Sequence, residues 1–380
     1  MNTRFNANVY SYTEGLFNLF FRDFNGKVVG EGGLKREGLM KHFFDSYKPE
    51  QKKKIEKKES LYENEKYITT SDKLKETIEK YGVAIIPDVL NTDEIKDMRD
   101  GMWDYLEHIT QTFETPMSRD DPKTWVEYIK LYPKHSMLLQ NYGIGHAQFV
   151  WNLRQNEKVA DIYAKLWDTT KQELLTSFDG ASFHFPPEET NRGWHRNTWY
   201  HTDQSYLRPD FECVQSWVTA YDVDEGDATL AFMEKSNIYH DEFSKTHDIV
   251  NKSDWYKHTE EEQAFYENKG CLEKRIKCGA GSMVFWDSRT IHCGTEAVRG
   301  REESKLRNVV YICMTPRERA NMNDLKKKRE AFKNLRMTTH WPHKPKLFPV
   351  NPRTYGGPLP NVTDITEPTL SLLGRRLAGF

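Results

Sequence analysis

Four short runs of β-branched and aromatic residues in the second half of the chain restrict the fold most strongly. Each run is bounded by glycine, aspartate or asparagine, which is the pattern of short strands joined by turns. The four runs are Cys213–Val223, Ala228–Met233, Ser282–Trp286 and Asn308–Thr315. Strands of this kind favour a jelly roll. We therefore predict a mainly β domain.

A buried strand and a helix are predicted to open this domain. Gly82–Pro87 is a continuous apolar run and reads as a buried strand. Asn91 then supplies an N-cap with Glu94 three residues further on, a capping box that opens a helix reaching about Ile109. The ordered domain is expected to begin with this strand and helix.

Residues 1–65 are predicted to form an N-terminal extension. We expect its aromatic cluster, Leu16–Phe21, to pack on the main body. The lysine-rich stretch 51–59 is interpreted as a solvated helix face rather than as a nucleic-acid patch.

The remaining chain is divided by composition. Residues 66–317 are assigned to the β domain, and about 237–277 within it is charged and polar, which predicts a helical or irregular insertion over the sheets. Residues 318–380 are predicted to begin with a helix and to continue as a Pro-rich tail packed on the domain.

Charge and composition exclude several classes of function. The 55 basic residues nearly balance the 57 acidic ones, so the net charge of −2 gives no field that would steer the chain to nucleic acid or anionic lipid. No apolar run is long enough to span a bilayer, and Met1–Phe5 opens no apolar signal segment, so a cytoplasmic location is predicted. The five cysteines show no CxxC pair, which argues against a disulfide framework or a structural zinc site.

One His-x-Asp pair is a candidate for metal binding. A non-haem iron that activates oxygen uses two neutral imidazoles and one carboxylate on one face. Two residues apart on a strand, His201 and Asp203 point to the same side and are able to chelate one metal. With 13 histidines in the chain, about two His-x-acid matches are expected by chance, and three occur. The other two begin at His240 and His258, in the charged insertion, where solvated side chains are expected.

The third ligand must come from a distant strand. Residues 281–292 offer a strand, a short turn and then His292. The next strand begins with Arg307, whose guanidinium fork is suited to grip a carboxylate through two hydrogen bonds. Arg307 is therefore the candidate anchor for a dicarboxylate cosubstrate.

At these residues the sequence resembles the phytanoyl-CoA dioxygenase family, over roughly residues 70–317. The segments that carry the resemblance are Lys80–Leu90, His201–Ser205, Val214–Ala220 and Trp286–His292, with Arg307 beyond them. The resemblance implies an α+β architecture of β-sheets with flanking helices, a double-stranded β-helix of the jelly-roll, cupin-like type. It also implies a dioxygenase that hydroxylates a small organic substrate with Fe(II), 2-oxoglutarate and O2, releasing succinate and CO2.

The resemblance assigns roles to individual residues. His201, Asp203 and His292 would bind the iron and form the catalytic centre, and Arg307 would hold the distal carboxylate of 2-oxoglutarate. Trp217 and Thr219 are further cosubstrate-binding candidates. The remaining pocket candidates are Tyr200, Gln204, Arg289 and Arg301. Related halogenases lack the carboxylate found here at Asp203, so the resemblance favours hydroxylation.

Two features depart from the family pattern. The turn Glu234–Asn237 replaces the usual Gly-Ser-His type of turn, and the interval from His292 to Arg307 is long, which leaves Arg301 and Arg299 as competitors for the cosubstrate. Two other functions stay open at this point. One is an inactive β-helix that serves as a binding module; the other is a non-oxidative cupin-like enzyme that uses zinc or manganese at the same ligands.

Overall fold

The computed structural model describes residues 60–380 in full and, before them, the backbone of three strands. These strands, β1 (Asn6–Thr13), β2 (Leu16–Arg22) and β3 (Val28–Lys35), form an antiparallel sheet in the order β1-β2-β3. The chain divides into two compact units, Met1–Glu59 and Ser60–Phe380. The expected packing of the Leu16–Phe21 side chains and the expected helix at 51–59 lie outside the described residues.

The second unit contains twelve strands and nine α-helices among its described residues. The strands are β4 (Val83–Ile86), β5 (Leu138–Leu139), β6 (Leu174–Thr176), β7 (Ala181–His184), β8 (His201–Thr202), β9 (Val214–Thr219), β10 (Thr229–Met233), β11 (Tyr256–Lys257), β12 (Glu273–Arg275), β13 (Met283–Asp287), β14 (His292–Thr295) and β15 (Arg307–Pro316). The helices are α1 (Leu74–Tyr81), α2 (Thr92–Thr110), α3 (Gln148–Arg154), α4 (Glu157–Leu166), α5 (Pro187–Thr190), α6 (His240–Thr246), α7 (Glu260–Asn268), α8 (Met322–Lys333) and α9 (Leu372–Leu377). None of the helices in residues 60–380 is both long and apolar enough to cross a membrane.

These strands form two antiparallel sheets. The larger sheet has the order β4-β13-β9-β15-β7-β5, with β6 also paired to β15, and the smaller sheet has the order β11-β8-β14-β10-β12. Side chains of both sheets meet in one apolar cluster: Trp217, Trp286 and Val309 come from the larger sheet, and Leu230 and Phe232 from the smaller. This arrangement is the predicted double-stranded β-helix, and we call the space between the sheets the barrel interior.

The outer face of the larger sheet is covered by helices. Val218 and Val310 belong to a second apolar cluster together with Met102 of α2 and Tyr163 of α4. The hydroxyl of Tyr163 donates a hydrogen bond of 2.7 Å to the carbonyl of Ile312. The larger sheet is therefore fixed on both faces, which gives the barrel interior a rigid wall.

Most of the predicted elements are confirmed. The four runs correspond to β9, β10, β13 and β15, and the run at Gly82–Pro87 to β4. Helix α2 begins with the predicted capping box, in which the Asn91 side chain accepts from the backbone N–H of Glu94. The insertion differs from the prediction, because it carries β11 and β12, the two edge strands of the smaller sheet, in addition to α6 and α7.

Gly82 joins α1 to β4 at a point where a side chain is not accommodated. Its φ of +84° lies in the left-handed region, and a Cβ there would stand 2.6 Å from Oγ1 of Thr290. The Thr290 hydroxyl donates to the Gly82 carbonyl at 3.0 Å. This contact fixes the turn that leads into His292.

Candidate active site

The smaller sheet brings the three predicted metal ligands together. His201 opens β8 and His292 opens β14, and the two residues are paired directly across these strands. The Nε2 atoms of His201 and His292 lie 3.6 and 3.4 Å from Oδ2 of Asp203. One ligand atom of each residue lies within 4.8 Å of the others. Two imidazoles and one carboxylate on one face leave neighbouring coordination positions open for other ligands.

Three contacts hold Asp203 in place. Its backbone N–H donates to the carbonyl of Ser288 at 2.9 Å. Its carboxylate accepts a hydrogen bond of 2.9 Å from Nε2 of Gln215, and its carbonyl oxygen lies 3.1 Å from Nε2 of His340. Backbone and side chain are thus fixed from separate parts of the chain, so the carboxylate is oriented before any metal binds.

Both imidazoles present the same nitrogen to the metal position. Nδ1 of His292 lies 2.9 Å from the Thr290 carbonyl, so it carries the proton and leaves the lone pair of Nε2 free. Nδ1 of His201 faces the Trp199 carbonyl at a longer 3.4 Å. Neutral imidazoles with free Nε2 atoms are the form that a metal requires.

The pKa shifts of Asp203 and His292 favour metal binding near neutral pH. Burial alone would raise the pKa of Asp203, but His201 and His340 outweigh it and hold this pKa well below its usual range. Burial, followed by the charge of His201, lowers the pKa of His292. One carboxylate is therefore ionised and one imidazole neutral, as a divalent cation requires.

Arg307 lies in the barrel interior with unused hydrogen-bonding capacity. It is 5% exposed, its Nη1 donates to the Ala228 carbonyl at 2.8 Å, and its guanidinium carbon lies 5.4 Å from the centre of the Trp217 ring. Its Nε and the indole N–H groups of Trp217 and Trp286 are buried without a partner among the described residues. Unpaired buried donors are costly, so these groups are suited to a buried anion.

The competing arginines are already engaged. Arg301 forms ion pairs with Glu188 at 2.7 Å and Asp227 at 2.9 Å, and 2% of its side chain is exposed. Arg299 lies over the ring of Trp194, 4.7 Å from its centre. Arg301 borders the same small cleft as Arg307, but its fork is occupied by two carboxylates, which favours Arg307 as the residue that binds the cosubstrate.

The other predicted pocket residues have structural roles in most cases. Thr219 lines a small cleft with Arg307, although its hydroxyl donates to the Tyr221 carbonyl at 2.7 Å. Tyr200, in contrast to its predicted pocket role, packs under the insertion in a cluster with Tyr206. Neighbouring residues of an extended strand face opposite sides, and His201 faces the barrel interior, so Tyr200 faces away from it.

Gln204 and Arg289 are also corrections. The Gln204 amide donates to the carbonyls of Arg208 and Asp210 at 2.6 and 2.7 Å and so braces the loop after the metal ligands. Arg289 is paired with Asp287, with Nη2 and Oδ2 2.6 Å apart. Neither side chain is free to bind a substrate.

The two other His-x-acid histidines are buried, so the expectation of solvated side chains is wrong. Nε2 of His258 lies 2.9 Å from the hydroxyl of Tyr206, and Nε2 of His240 lies 3.2 Å from the Gln204 carbonyl. Both support the packing of the insertion on the smaller sheet.

Two residues that contact Asp203 were not predicted from the sequence. Gln215 shares the inward face of β9 with Trp217, so strand alternation contained the signal. His340 lies in the C-terminal tail, 137 residues from Asp203, and no local pattern points to it.

Comparisons with known proteins identify the family of the chain. Residues 78–301 match the family model for phytanoyl-CoA dioxygenase (PhyH). The protein is 27% identical over 279 residues to Ava biosynthesis cluster protein O of Aspergillus versicolor, an alignment that covers 71% of this chain and 86% of that one.

A solved structure from Escherichia coli shows the same fold. The hypothetical protein JW0805 of Escherichia coli superposes with a TM-score of 0.52 at 14% identity, covering 84% of this chain and 86% of that one. EvdO2 of Micromonospora carbonacea, solved with 2-oxoglutarate, gives a TM-score of 0.42 at 14% identity, covering 65% and 90%.

A double-stranded β-helix that gathers two histidines and an aspartate defines a class, the iron- and 2-oxoglutarate-dependent enzymes. Within it, the chain belongs to the phytanoyl-CoA dioxygenase family, whose members depend on Fe(II) and 2-oxoglutarate. The residues fit both groups, since the donor set suits Fe(II) and the unpaired donors near Arg307 suit a carboxylate.

Proposed function

We propose that this protein is a hydroxylase of a small organic substrate. It couples the oxidative decarboxylation of 2-oxoglutarate, to succinate and CO2, with the transfer of one oxygen atom from O2 to the substrate. This proposal rests on the convergence of His201, Asp203 and His292 at ligand distance, and on the buried guanidinium of Arg307 in the same barrel interior, whose Nε has no partner among the described residues.

In this proposal the iron is held by His201, Asp203 and His292 and supplies the activation of O2 when it is bound. Gln215 keeps the carboxylate turned toward the two imidazoles through its 2.9 Å hydrogen bond. The Thr290 carbonyl keeps the ring of His292 in the tautomer that offers Nε2. These residues orient the ligands, so that little rearrangement is needed when the metal binds.

Arg307 would bind the distal carboxylate of 2-oxoglutarate. A buried guanidinium needs an anionic partner, and none of the carboxylates in residues 60–380 forms an ion pair with Arg307. The indole N–H of Trp217 is a second donor on the same side of the barrel interior. Thr219 would shape the end of this pocket, where it lines the cleft beside Arg307.

The substrate is proposed to be a small metabolite rather than a macromolecule. The relative from Aspergillus versicolor is named for a biosynthesis cluster, and the near-neutral charge of the chain gives no footprint for nucleic acid. A barrel interior bordered by tryptophans suits a partly apolar molecule.

The first test is spectroscopic. Fe(II) and then 2-oxoglutarate are added to anaerobic protein, and the weak visible charge-transfer absorption of the iron-bound keto acid is recorded. We expect the band in the wild type and its loss in His292→Ala. Bound iron without a band would favour the non-oxidative enzyme, and no bound iron would favour the binding module. Incorporation of label from ¹⁸O2 into a substrate would then establish hydroxylation.

A further inference from the structure

An aromatic wall extends from the metal site to the surface. The ring of Trp199 stacks on that of His201, with centres 4.7 Å apart and planes within 3° of parallel. His135 stacks on the other face of Trp199 at 3.6 Å and 4°. Trp255 lies 6.0 Å from the His201 ring and is 51% exposed. Because this large, half-exposed indole stands beside a buried metal ligand, we place the opening of the site here.

The insertion forms one side of this opening. Lys257 of β11 is paired directly with His201 of β8, so the two side chains leave the sheet on the same face. Trp255, two residues before Lys257, shares that face, whereas Tyr256 between them packs behind the sheet against Tyr206. The edge strand therefore presents an indole and an ammonium group beside the metal site.

The segment that carries His135 has a strained backbone. His135 and Ser136 have φ of 49° and 58°, a left-handed conformation that non-glycine residues rarely adopt. Such strain is typical of sites where the surrounding structure fixes a side chain for a function.

We propose that this opening binds the substrate and selects a planar, unsaturated small molecule that carries a negative charge. Trp255 offers a flat surface for the ring system, and Lys257 attracts the anion at the rim. This inference rests on the proposed function, because only an enzyme has a substrate. The binding of such a molecule is tested separately.

The test is calorimetric titration with three probes, namely 2-naphthoate, 2-naphthol and cyclohexanecarboxylate. Saturating 2-oxoglutarate and Fe(II) are present under anaerobic conditions, so that the probe does not compete at Arg307, and the titrations are repeated without them. The wild type is expected to bind 2-naphthoate more tightly than either other probe. Trp255→Ala should remove the preference for 2-naphthoate over cyclohexanecarboxylate. Lys257→Ala should remove the preference for 2-naphthoate over 2-naphthol. In each variant the affinity for 2-naphthoate should fall by about fivefold.

Matched variants separate this site from general surface effects. Lys252→Ala, on the same insertion, and Tyr355→Ala, an aromatic that is 79% exposed in the tail, should bind like the wild type, and Lys257→Arg should keep the preference for the anion. Equal binding of all three probes, no binding of 2-naphthoate, or equal losses in the control variants would overturn the proposal. A missing charge-transfer band with intact probe selectivity would refute the proposed function alone.

Discussion

One carboxylate oxygen of Asp203 makes the contacts that link the residues of the metal site. Oδ2 of Asp203 faces both imidazoles and accepts from Gln215, whose Nε2 also lies 3.2 Å from Oγ of Ser288. Gln215 is itself only 6% exposed, so its amide is largely shielded from solvent. The orientation of the carboxylate therefore depends on one buried amide.

Gln215→Leu is expected to weaken Fe(II) binding by about tenfold or more, since partners that orient metal ligands typically contribute 10- to 100-fold. The shape of the side chain is nearly kept, while the hydrogen bond to Asp203 is lost. Fe(II) affinity is measured by anaerobic competition with a chromophoric chelator. Gln263→Leu, which alters an amide on the insertion, is the control, and equal affinities in both variants would refute the role of Gln215.

Arg307→Lys is expected to raise the KM for 2-oxoglutarate by about tenfold or more while Fe(II) binding is kept. A lysine keeps the charge but loses the two-pronged contact, and a hydrogen bond to a charged group contributes about 1.5–3 kcal/mol. The KM is measured through succinate formation, and the dissociation constant through the charge-transfer band. An unchanged KM would mean that a residue other than Arg307 binds 2-oxoglutarate.

Arg301→Lys is the matched control for Arg307 and has the opposite expected profile. Arg301 pairs with Glu188 and with Asp227, whose side chain is 8% exposed. Lysine keeps the charge but loses the fork that contacts both carboxylates, so the free energy of unfolding should fall by about 1.5–3 kcal/mol. The KM for 2-oxoglutarate should stay unchanged. Urea unfolding and succinate assays on the two variants thus separate a binding arginine from a structural one.

At the scale of elements, the sequence predicted those strands that are long enough to show a pattern. The runs at β9, β10, β13 and β15 were found because alternation and β-branched residues extend over five or more positions. The two-residue strands β8 and β11 have no such pattern, since they exist through pairing with distant strands. The opening of the site depends on β11, so it was not predictable from local sequence.

The tail adds an element to the site that lies beyond the matched family segment. A bridge between Thr338 and Leu347 closes a loop that carries His340. Trp341, the next residue, packs against Cys213 and Cys313 on the larger sheet. The loop is thus anchored beside Asp203 and holds the His340 imidazole against its carbonyl.

His340→Ala is expected to lower Fe(II) affinity by about tenfold, because the backbone of Asp203 loses its partner from the tail. His108→Ala is the control, since Nε2 of His108 makes a similar 2.9 Å contact with the Asp364 carbonyl away from the metal. The same competition assay measures both variants. If both variants bind Fe(II) equally, the tail only stabilises the fold.

At the scale of the whole molecule, several histidines are buried in the neutral form. Burial lowers their pKa from the ordinary 6.5 to about 3 or 4. They are His146, His184, His240, His258 and His343. In the unfolded chain each would take up a proton at its ordinary pKa, so the unfolded state binds more protons than the folded state in mildly acidic solution.

The free energy of unfolding is therefore expected to fall as the pH drops below about 6.5, by up to ~1.4 kcal/mol per pH unit for each buried histidine, until the folded pKa is reached. The loss ends near pH 3 for His146, whose pKa is lowered to about 3 chiefly by burial. Urea unfolding of the metal-free protein between pH 7.5 and 4.5 measures the slope without interference from metal release. His146→Gln should make the slope shallower, whereas His108→Gln, at an exposed position, should leave it unchanged. An unaltered slope in His146→Gln would mean that its imidazole is protonated in the folded protein, against the effect of its burial.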